Sequence, residues 1–316
     1  MAYLNASREK HEGQTFGLGY DEDQIIQGDS LFLFKQVKEQ SVDLVLSDIP
    51  YGIGFDEWDV IHNNTNSALL GSSPAQKNAG AVFKKRGKPI NGWSEADKRM
   101  PHEYQEWCAL WAADCLRSLK PGGSAFIFAG RRFSHRCICA FEDVGFNLKD
   151  QIAWLRAKAP HRAQRVSKVY ERRSDQSSAD EWAGWRLGNL RPTFEPILWF
   201  VKPYPVGTTI ADNVKKYSLG AFNQKSWEEL GVKPDNVVTD KFRTGESGFH
   251  PTQKSIELMS KIISLVTVEG QLVLDPFAGS GSTLVAAKEL NRRYLGFEAN
   301  SEYVSRAKKR LSSTLI

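Results

Sequence analysis

One stretch limits what this chain can fold into more than any other: Val273-Leu274-Asp275-Pro276-Phe277-Ala278-Gly279-Ser280-Gly281-Ser282-Thr283. An apolar run, Leu272 to Leu274, ends at Asp275, and Gly279 and Gly281 fall where a strand must turn into a helix. Glycine lets the backbone turn tightly there and pass close to a ligand. Ser282 or Thr283 is expected to satisfy the free N–H groups of a helix from Leu284 to Leu290. Nineteen positions after Gly279, a second apolar strand (Tyr294 to Phe297) delivers Glu298. A carboxylate about 20 residues beyond the glycines is what a Rossmann-like site uses to hold ribose hydroxyls. Two glycines alone are usually just a turn. Strand, glycine loop, helix, strand and acid together point to an adenosine-type cofactor.

Only one more helix, Glu302 to Leu311, follows before Ile316. Two strands cannot make a doubly wound sheet, so the others are expected earlier, in a permuted order. That order argues against a dehydrogenase, whose Rossmann sheet starts at its glycines. Gln24 to Gln27 reads as a short strand ending at Gly28-Asp29, followed by a helix from Ser30 to about Gln40. Val42 to Ser47 has the apolar density of a buried parallel strand and ends at Asp48-Ile49-Pro50-Tyr51. Loops at the carboxyl ends of parallel strands bind ligands, which puts Asp29 and Asp48 where function is expected.

From residue 54 to residue 100 the chain is turn-rich and basic. It reads either as a mobile lid with phosphate-facing lysines or as a plain solvated loop. A helix is expected from Pro101 to Leu119, opened by its proline and stopped at Pro121-Gly122-Gly123, with Tyr104, Trp107, Leu110 and Trp111 as a core stripe. Strand (Ser124 to Ala129), helix (Phe133 to Val144) and strand (Leu148 to Leu155) then alternate as in the middle of an α/β sheet. Thr193 to Lys202 reads as a returning strand, Tyr204 to Gly248 as irregular, and Ser255 to Val266 as a helix.

Between Arg156 and Arg173 the composition shifts: Arg156, Lys158, His161, Arg162, Arg165, Lys168, Arg172 and Arg173 are opposed within the stretch by Glu171 alone. Tyr170, Trp182, Trp185 and Arg186 are interleaved or follow closely. Such a stretch suits phosphate contacts and base-edge reading, and the formal net charge of +5 mildly favours a polyanionic partner. A solvated basic loop is the alternative. The four cysteines (Cys108, Cys115, Cys137 and Cys139) lack zinc-site spacing, so no metal is expected. With no leader and no apolar run long enough to span a bilayer, they are expected as reduced core thiols in a cytoplasmic protein away from membranes.

Three motifs in order resemble the β-class amino-methyltransferases that act on DNA, a group dominated by adenine-N6 enzymes. Asp48-Ile49-Pro50-Tyr51 resembles the Asp-Pro-Pro-Tyr catalytic motif, and Asp275 to Thr283 the S-adenosylmethionine motif. Phe249-His250-Pro251-Thr252-Gln253-Lys254 is similar to the segment that precedes the latter. The resemblance covers about Ile25 to Leu311, apart from the long loop and residues 156–193. It implies a Rossmann-like, seven-stranded, mostly parallel α/β sheet with circularly permuted motif order and an inserted target-recognition region.

The roles it implies are specific. Asp275, Phe277, Gly279 and Gly281 would cradle the methionine part of S-adenosylmethionine and Glu298 would hold its ribose, with Pro276, Ser280 and Thr283 also cofactor-binding. Asp29 would lie near the adenine, with His250, Thr252 and Lys254 closing the other side. Asp48 and the Ile49 carbonyl would accept hydrogen bonds from the target amino group, Pro50 would shape the loop, and Tyr51 would stack on a base turned out of the helix. Outside the resemblance, on charge alone, Arg156, Lys158, Arg162, Arg165, Lys168, Arg172 and Arg173 are expected to hold double-stranded DNA. Two positions depart from the pattern: Ile49 replaces the first proline, and Ser255 stands where proline often follows the lysine.

The chain divides accordingly. Residues 1–22 are a polar tail, 23–155 the catalytic half, 156–193 the basic insertion, 194–248 a returning strand and irregular connection, and 249–316 the cofactor half. The expected function is methyl transfer to adenine N6 of DNA in a bacterial or phage-encoded, nucleoid-associated enzyme. Cytosine N4, RNA as substrate, and a silent DNA-binding subunit with the same fold are the alternatives. A homodimer and a restriction endonuclease partner are left open.

Overall fold

Apolar runs without polar alternation build strands that are covered on both faces. The computed structural model describes residues 21–50, 95–156, 163–243, 246 and 253–314. The strands are β1 (Gln24–Gln27), β2 (Val42–Asp48), β3 (Leu119–Phe128), β4 (Asn147–Leu155), β5 (Gln164–Arg165), β6 (Arg186–Leu187), β7 (Phe194–Val201), β8 (Val237–Thr239), β9 (Leu272–Asp275) and β10 (Arg293–Glu298). The helices are α1 (Ser30–Leu33), α2 (Glu95–Ser118), α3 (Ser134–Asp143), α4 (Val166–Glu171), α5 (Gln176–Glu181), α6 (Ile210–Tyr217), α7 (Gln224–Glu229), α8 (Ile256–Val266), α9 (Ser282–Glu289) and α10 (Ser301–Ser313).

Eight strands form one sheet in the order β1-β10-β9-β2-β3-β7-β4-β8, and β5 pairs with β6 in a small separate hairpin. The pairs on either side of β7 are antiparallel and the rest are parallel. The permuted order is therefore borne out: strands from residues 272–298 sit between β1 and β2. The strand beyond the expected seven is β8, at the edge beside β4.

Successive side chains of a strand face opposite ways, and the two cores follow that rule. Val45, Ala125, Ile127, Phe200, Leu274 and Phe297 pack on α2 and α3. Leu44, Leu46, Phe126, Trp199 and Val273 pack on α8, α9 and α10. Burying a large apolar side chain contributes roughly 1.5–3 kcal/mol, so this three-layer packing holds the strand ends in place.

Several expected boundaries move. The helix read from Ser30 to Gln40 is a single turn, α1, followed by a 3-10 turn (Phe34–Gln36). α2 starts at Glu95, within the stretch read as loop, and Pro101 lies inside it. Its buried stripe is Met100, Tyr104, Cys108 and Trp111, whereas Leu110 lies off that stripe and is exposed. Cys108, Cys115 and Cys137 are buried free thiols, but Cys139 is exposed, contrary to expectation.

α2 ends at Ser118, one residue before the expected Leu119, but Pro121-Gly122-Gly123 lies within β3 and not in a turn after the helix. Gly122 is there because Asn213 packs on it: an added Cβ would stand 2.3 Å from Asn213 Nδ2, at a φ of +77°. Asn213 donates to the carbonyls of Pro121 (3.0 Å) and Leu219 (2.9 Å). The region read as irregular after Tyr204 holds α6, α7 and β8. Its missed signal is the capping box of Thr209 and Asp212, which starts α6.

Candidate active site

The parallel strands β1, β10, β9 and β2 are neighbours, so Asp29, Glu298, Asp275 and Asp48 come to one edge of the sheet. From β9 the chain leaves through α9 on one face; from β2 it returns to β3 through α2 on the other. Adjacent strands whose connections diverge to opposite faces leave a crevice between their carboxyl ends, where such sheets bind ligands. Asp275 and Asp48 flank it.

The glycine loop is built as a cradle. Gly279 and Gly281 have φ of +52° and +81°, the left-handed region that favours glycine. The two serve different ends. A Cβ on Gly281 would stand 2.8 Å from the Ala307 Cβ, so that glycine lets α10 approach. A Cβ on Gly279 would meet nothing within 4 Å and would project into open space. Gly279 N–H donates to Glu298 Oε2 (2.9 Å) and Asn300 N–H to Glu298 Oε1 (2.8 Å). Burial raises the Glu298 pKa, opposed by these backbone donors.

The loop is tied from three sides. The Ser30 hydroxyl donates to the Pro276 carbonyl, and Arg310 Nη1 donates to the Ser280 carbonyl (2.7 Å). The Phe277 ring packs against Trp107 and Trp111, each at 5.5 Å between centroids. The cap of α9 is Gly281, with no side-chain bond to the helix, rather than Ser282 or Thr283. Those two lie in the first turn, and Thr283 hydrogen-bonds Asp275 instead. Asp29 accepts from the Leu31 N–H (2.9 Å), so its carboxylate caps α1.

Asp275 is 2% exposed. Burial pushes its carboxyl up to about 6, against the lowering effect of bonds from Ser47, Thr283 and the Phe277 N–H, while the charge of Asp48 adds to the rise. Asp275 Oδ1 accepts from the Ser47 hydroxyl at 2.6 Å and from the Phe277 N–H at 3.1 Å. An acid whose pKa is higher folded than unfolded contributes stability that is full below its unfolded value, 3.8, and lost as pH rises through about 6. The interval corresponds to about 3 kcal/mol. The unfolding free energy of the wild type, less that of Asp275→Asn, should therefore fall by about 2–3 kcal/mol from pH 4 to pH 7 in denaturant titrations. A difference independent of pH would show that folding leaves the Asp275 carboxyl at its unfolded value.

Residues 42–309 match the family model for DNA methylases of the N6/N4 type. The chain belongs to that family. The methyltransferase is 51% identical over 294 residues to the Type II methyltransferase M.HindIII of Haemophilus influenzae, covering 92% of this chain and 95% of that one. It is 26% identical to M.HpaI of Haemophilus parainfluenzae, over 92% of this chain and 74% of the relative. Among solved structures, the cytosine-N4-specific PvuII DNA methyltransferase superposes with a TM-score of 0.60 at 19% identity, covering 92% of this chain and 87% of that one. M1.HpyAVI superposes at 0.52 with 23% identity, covering 91% and 98%. These likenesses carry the fold: a Rossmann-like, mostly parallel sheet.

The Asp48-Ile49-Pro50 turn of the methyltransferase is held by contacts the sequence does not announce. Lys254 Nζ lies 2.5 Å from Asp48 Oδ2. The resemblance implies that Lys254 closes the cofactor side; its ammonium contacts the Asp48 carboxylate. Ile49 is buried, and the Pro50 carbonyl accepts from the Tyr104 hydroxyl (3.2 Å), which ties the loop to α2. Tyr51, His250 and Thr252 lie outside the described residues, as do Lys158 and Arg162 and most of the 54–100 loop.

The basic stretch divides. Arg156 Nη1 is paired with Glu195 Oε1 at 2.5 Å, across the β4–β7 register. It is thus opposed by an acid 39 positions away that the local charge count could not reveal. Lys168 pairs with Glu171 at 2.6 Å within α4. Arg165, Lys168, Arg172 and Arg173 are exposed around α4, next to a hairpin whose neighbouring Trp185 and Leu190 are also exposed. Among the described residues no helix is long and apolar enough to cross a membrane.

Proposed function

We propose that this DNA methyltransferase uses S-adenosylmethionine to methylate the exocyclic N6 of adenine in double-stranded DNA. The observation that carries the reading is one crevice holding a fixed carboxylate, Asp48, beside a glycine cradle open at Gly279 and backed by Glu298. The cradle fits the cofactor: close backbone approach for the methionine part and an acid where ribose hydroxyls are held. When bound, S-adenosylmethionine supplies an electrophilic methyl, which passes to nitrogen as the C–S electron pair returns to sulfur and a proton leaves nitrogen for water.

The protein's part is positioning. An exocyclic amine delocalises its lone pair into the ring and is a poor nucleophile. Asp48 and the Ile49 carbonyl, accepting its two N–H groups, favour a pyramidal nitrogen with the lone pair aimed along the line of attack. Tyr51 offsets part of the stacking lost when the base leaves the helix. Asp rather than Ser at position 48 supports adenine by resemblance to the adenine-N6 enzymes. The proposed setting is the bacterial cytoplasm, on the nucleoid.

Transfer of labelled methyl to mixed duplex DNA, followed by nucleoside mass analysis, tests this. N6-methyladenine is expected. N4-methylcytosine would keep the chemistry and overturn the base; no product from an enzyme that binds cofactor would overturn the substrate.

The exposed basic side chains around α4 are proposed to touch DNA phosphates. Replacing Arg165 and Arg172 by alanine should then weaken binding across sequences. It should also lower the magnitude of the log-affinity against log-salt slope by about 0.9 for each phosphate left without its arginine. A slope equal to that of the wild type would assign these arginines to solvent.

A further inference from the structure

The ammonium of Lys254 does not sit on Asp48 by accident of surface charge. Its side chain is 3% exposed, against 21% for Asp48. Two aromatic rings wall its niche: Phe128 at 5.2 Å and Trp154 at 5.6 Å from the ammonium to the ring centroid. Both distances suit attraction of a cation to a ring face. Phe128 ends β3 directly beside Asp48 in the β2–β3 register. Trp154 is pinned in turn: its Nε1 donates to Asp240 Oδ1 (2.6 Å), and the other Asp240 oxygen accepts from the Ser255 hydroxyl. Ser255, next to the lysine, also caps α8. Backbone, rings and acid thus deliver one ammonium to one carboxylate oxygen.

We propose that Lys254 is a positioning residue for methyl transfer, fixing the rotamer of Asp48 and keeping it ionised as the acceptor for the target amino group. The inference rests on the reading of Asp48 as that acceptor. A carboxylate accepts strongly only when ionised, and Asp48 and Asp275 meet as like charges at the ends of β2 and β9, the charge of Asp48 adding to the rise of the Asp275 carboxyl. A buried ammonium at hydrogen-bond distance opposes that and ties Oδ2, which sets the plane in which Oδ1 presents its lone pairs. Arg156, the residue after β4, is engaged by Glu195.

The test uses the full-length enzyme with Lys254→Met, close in volume, and Lys254→Arg, which keeps the charge. Cofactor affinity is measured by calorimetry, single-turnover transfer across pH, and the Asp48 carboxyl by carbon-13 titration. Expected for Lys254→Met is a loss of about 10²-fold in transfer at saturating cofactor. The acid limb of the pH profile and the Asp48 titration should both rise by about one pH unit or more, with cofactor affinity near that of the wild type. Lys254→Arg should restore the limb and part of the rate. Weakened cofactor binding with an unchanged rate at saturation would overturn the proposal and make Lys254 a cofactor ligand. A lower rate with an unmoved limb and an unmoved titration would also overturn it, leaving a packing role. The titration needs no turnover, so a wild type that methylates nothing would fail the proposed reaction while still deciding whether Lys254 controls Asp48.

Discussion

Asp48→Asn should bind S-adenosylmethionine and duplex DNA as the wild type does, yet transfer methyl about 10³-fold more slowly. Asparagine keeps the shape and one acceptor oxygen. That oxygen faces competing demands, because Lys254 is a donor-only group 2.5 Å from Oδ2. The amide carbonyl turns to the ammonium, and the amide NH2 is left facing the amino group of the base, donor against donor. Single-turnover rates beside calorimetric binding check this; a rate within about tenfold of wild type would remove Asp48 from the chemistry. Alanine is the poorer choice at this position. It strands a buried ammonium, a change that costs about 3–5 kcal/mol in buried pairs, and lost activity could then reflect lost structure.

The second large effect is expected at the glycine loop. Gly279→Val should abolish measurable cofactor binding while the protein stays folded. A Cβ there meets no protein atom within 4 Å, so the branched side chain enters the space left for ligand. Its φ of +52° costs a non-glycine residue about 1–2 kcal/mol, which a domain of this size tolerates. Gly281→Ala makes the contrast, since its Cβ falls 2.8 Å from that of Ala307. There the cost appears as a lower melting temperature as α10 is pushed away. Calorimetry with thermal unfolding separates the two variants, and cofactor binding by Gly279→Val at wild-type affinity would dismiss the cradle.

The local parts of the site were legible because their signals are local. Asp275 to Gly281 is contiguous, and Glu298 follows at the spacing a strand–loop–helix–strand unit requires. The order of the two halves was legible too, since too few strands follow the glycines to make a sheet. What escaped depends on which residues the sheet brings together. Ser47 and Asp275 are 228 positions apart, and Lys254 and Asp48 206 apart, yet each pair is within 2.6 Å. No periodicity encodes such pairs.

Other misreadings came from residues with two meanings. Pro-Gly-Gly at 121–123 looks like a stop and is in fact a strand thinned to admit Asn213. Ser282 and Thr283 look like caps, but the left-handed Gly281 occupies that position and frees Thr283 for Asp275. The short elements of residues 210–239 lacked an apolar period long enough to register, and only the capping residues Thr209 and Asn223 marked the two helices.

The placement of β9 and β10 between β1 and β2 also bears on how the protein is made. On the ribosome, β1 and β2 emerge with no neighbour on the sides that β10 and β9 will occupy. More than 220 further residues separate β2 from β9, which at about 5–20 residues per second is roughly 10–50 s of synthesis. For that time the nascent chain carries open strand edges of high apolar content, the condition that invites misassociation and chaperone capture. The late arrival of β9 and β10 closes those edges and completes the cleft in the same step, so a half-made chain offers the cell no partly active enzyme.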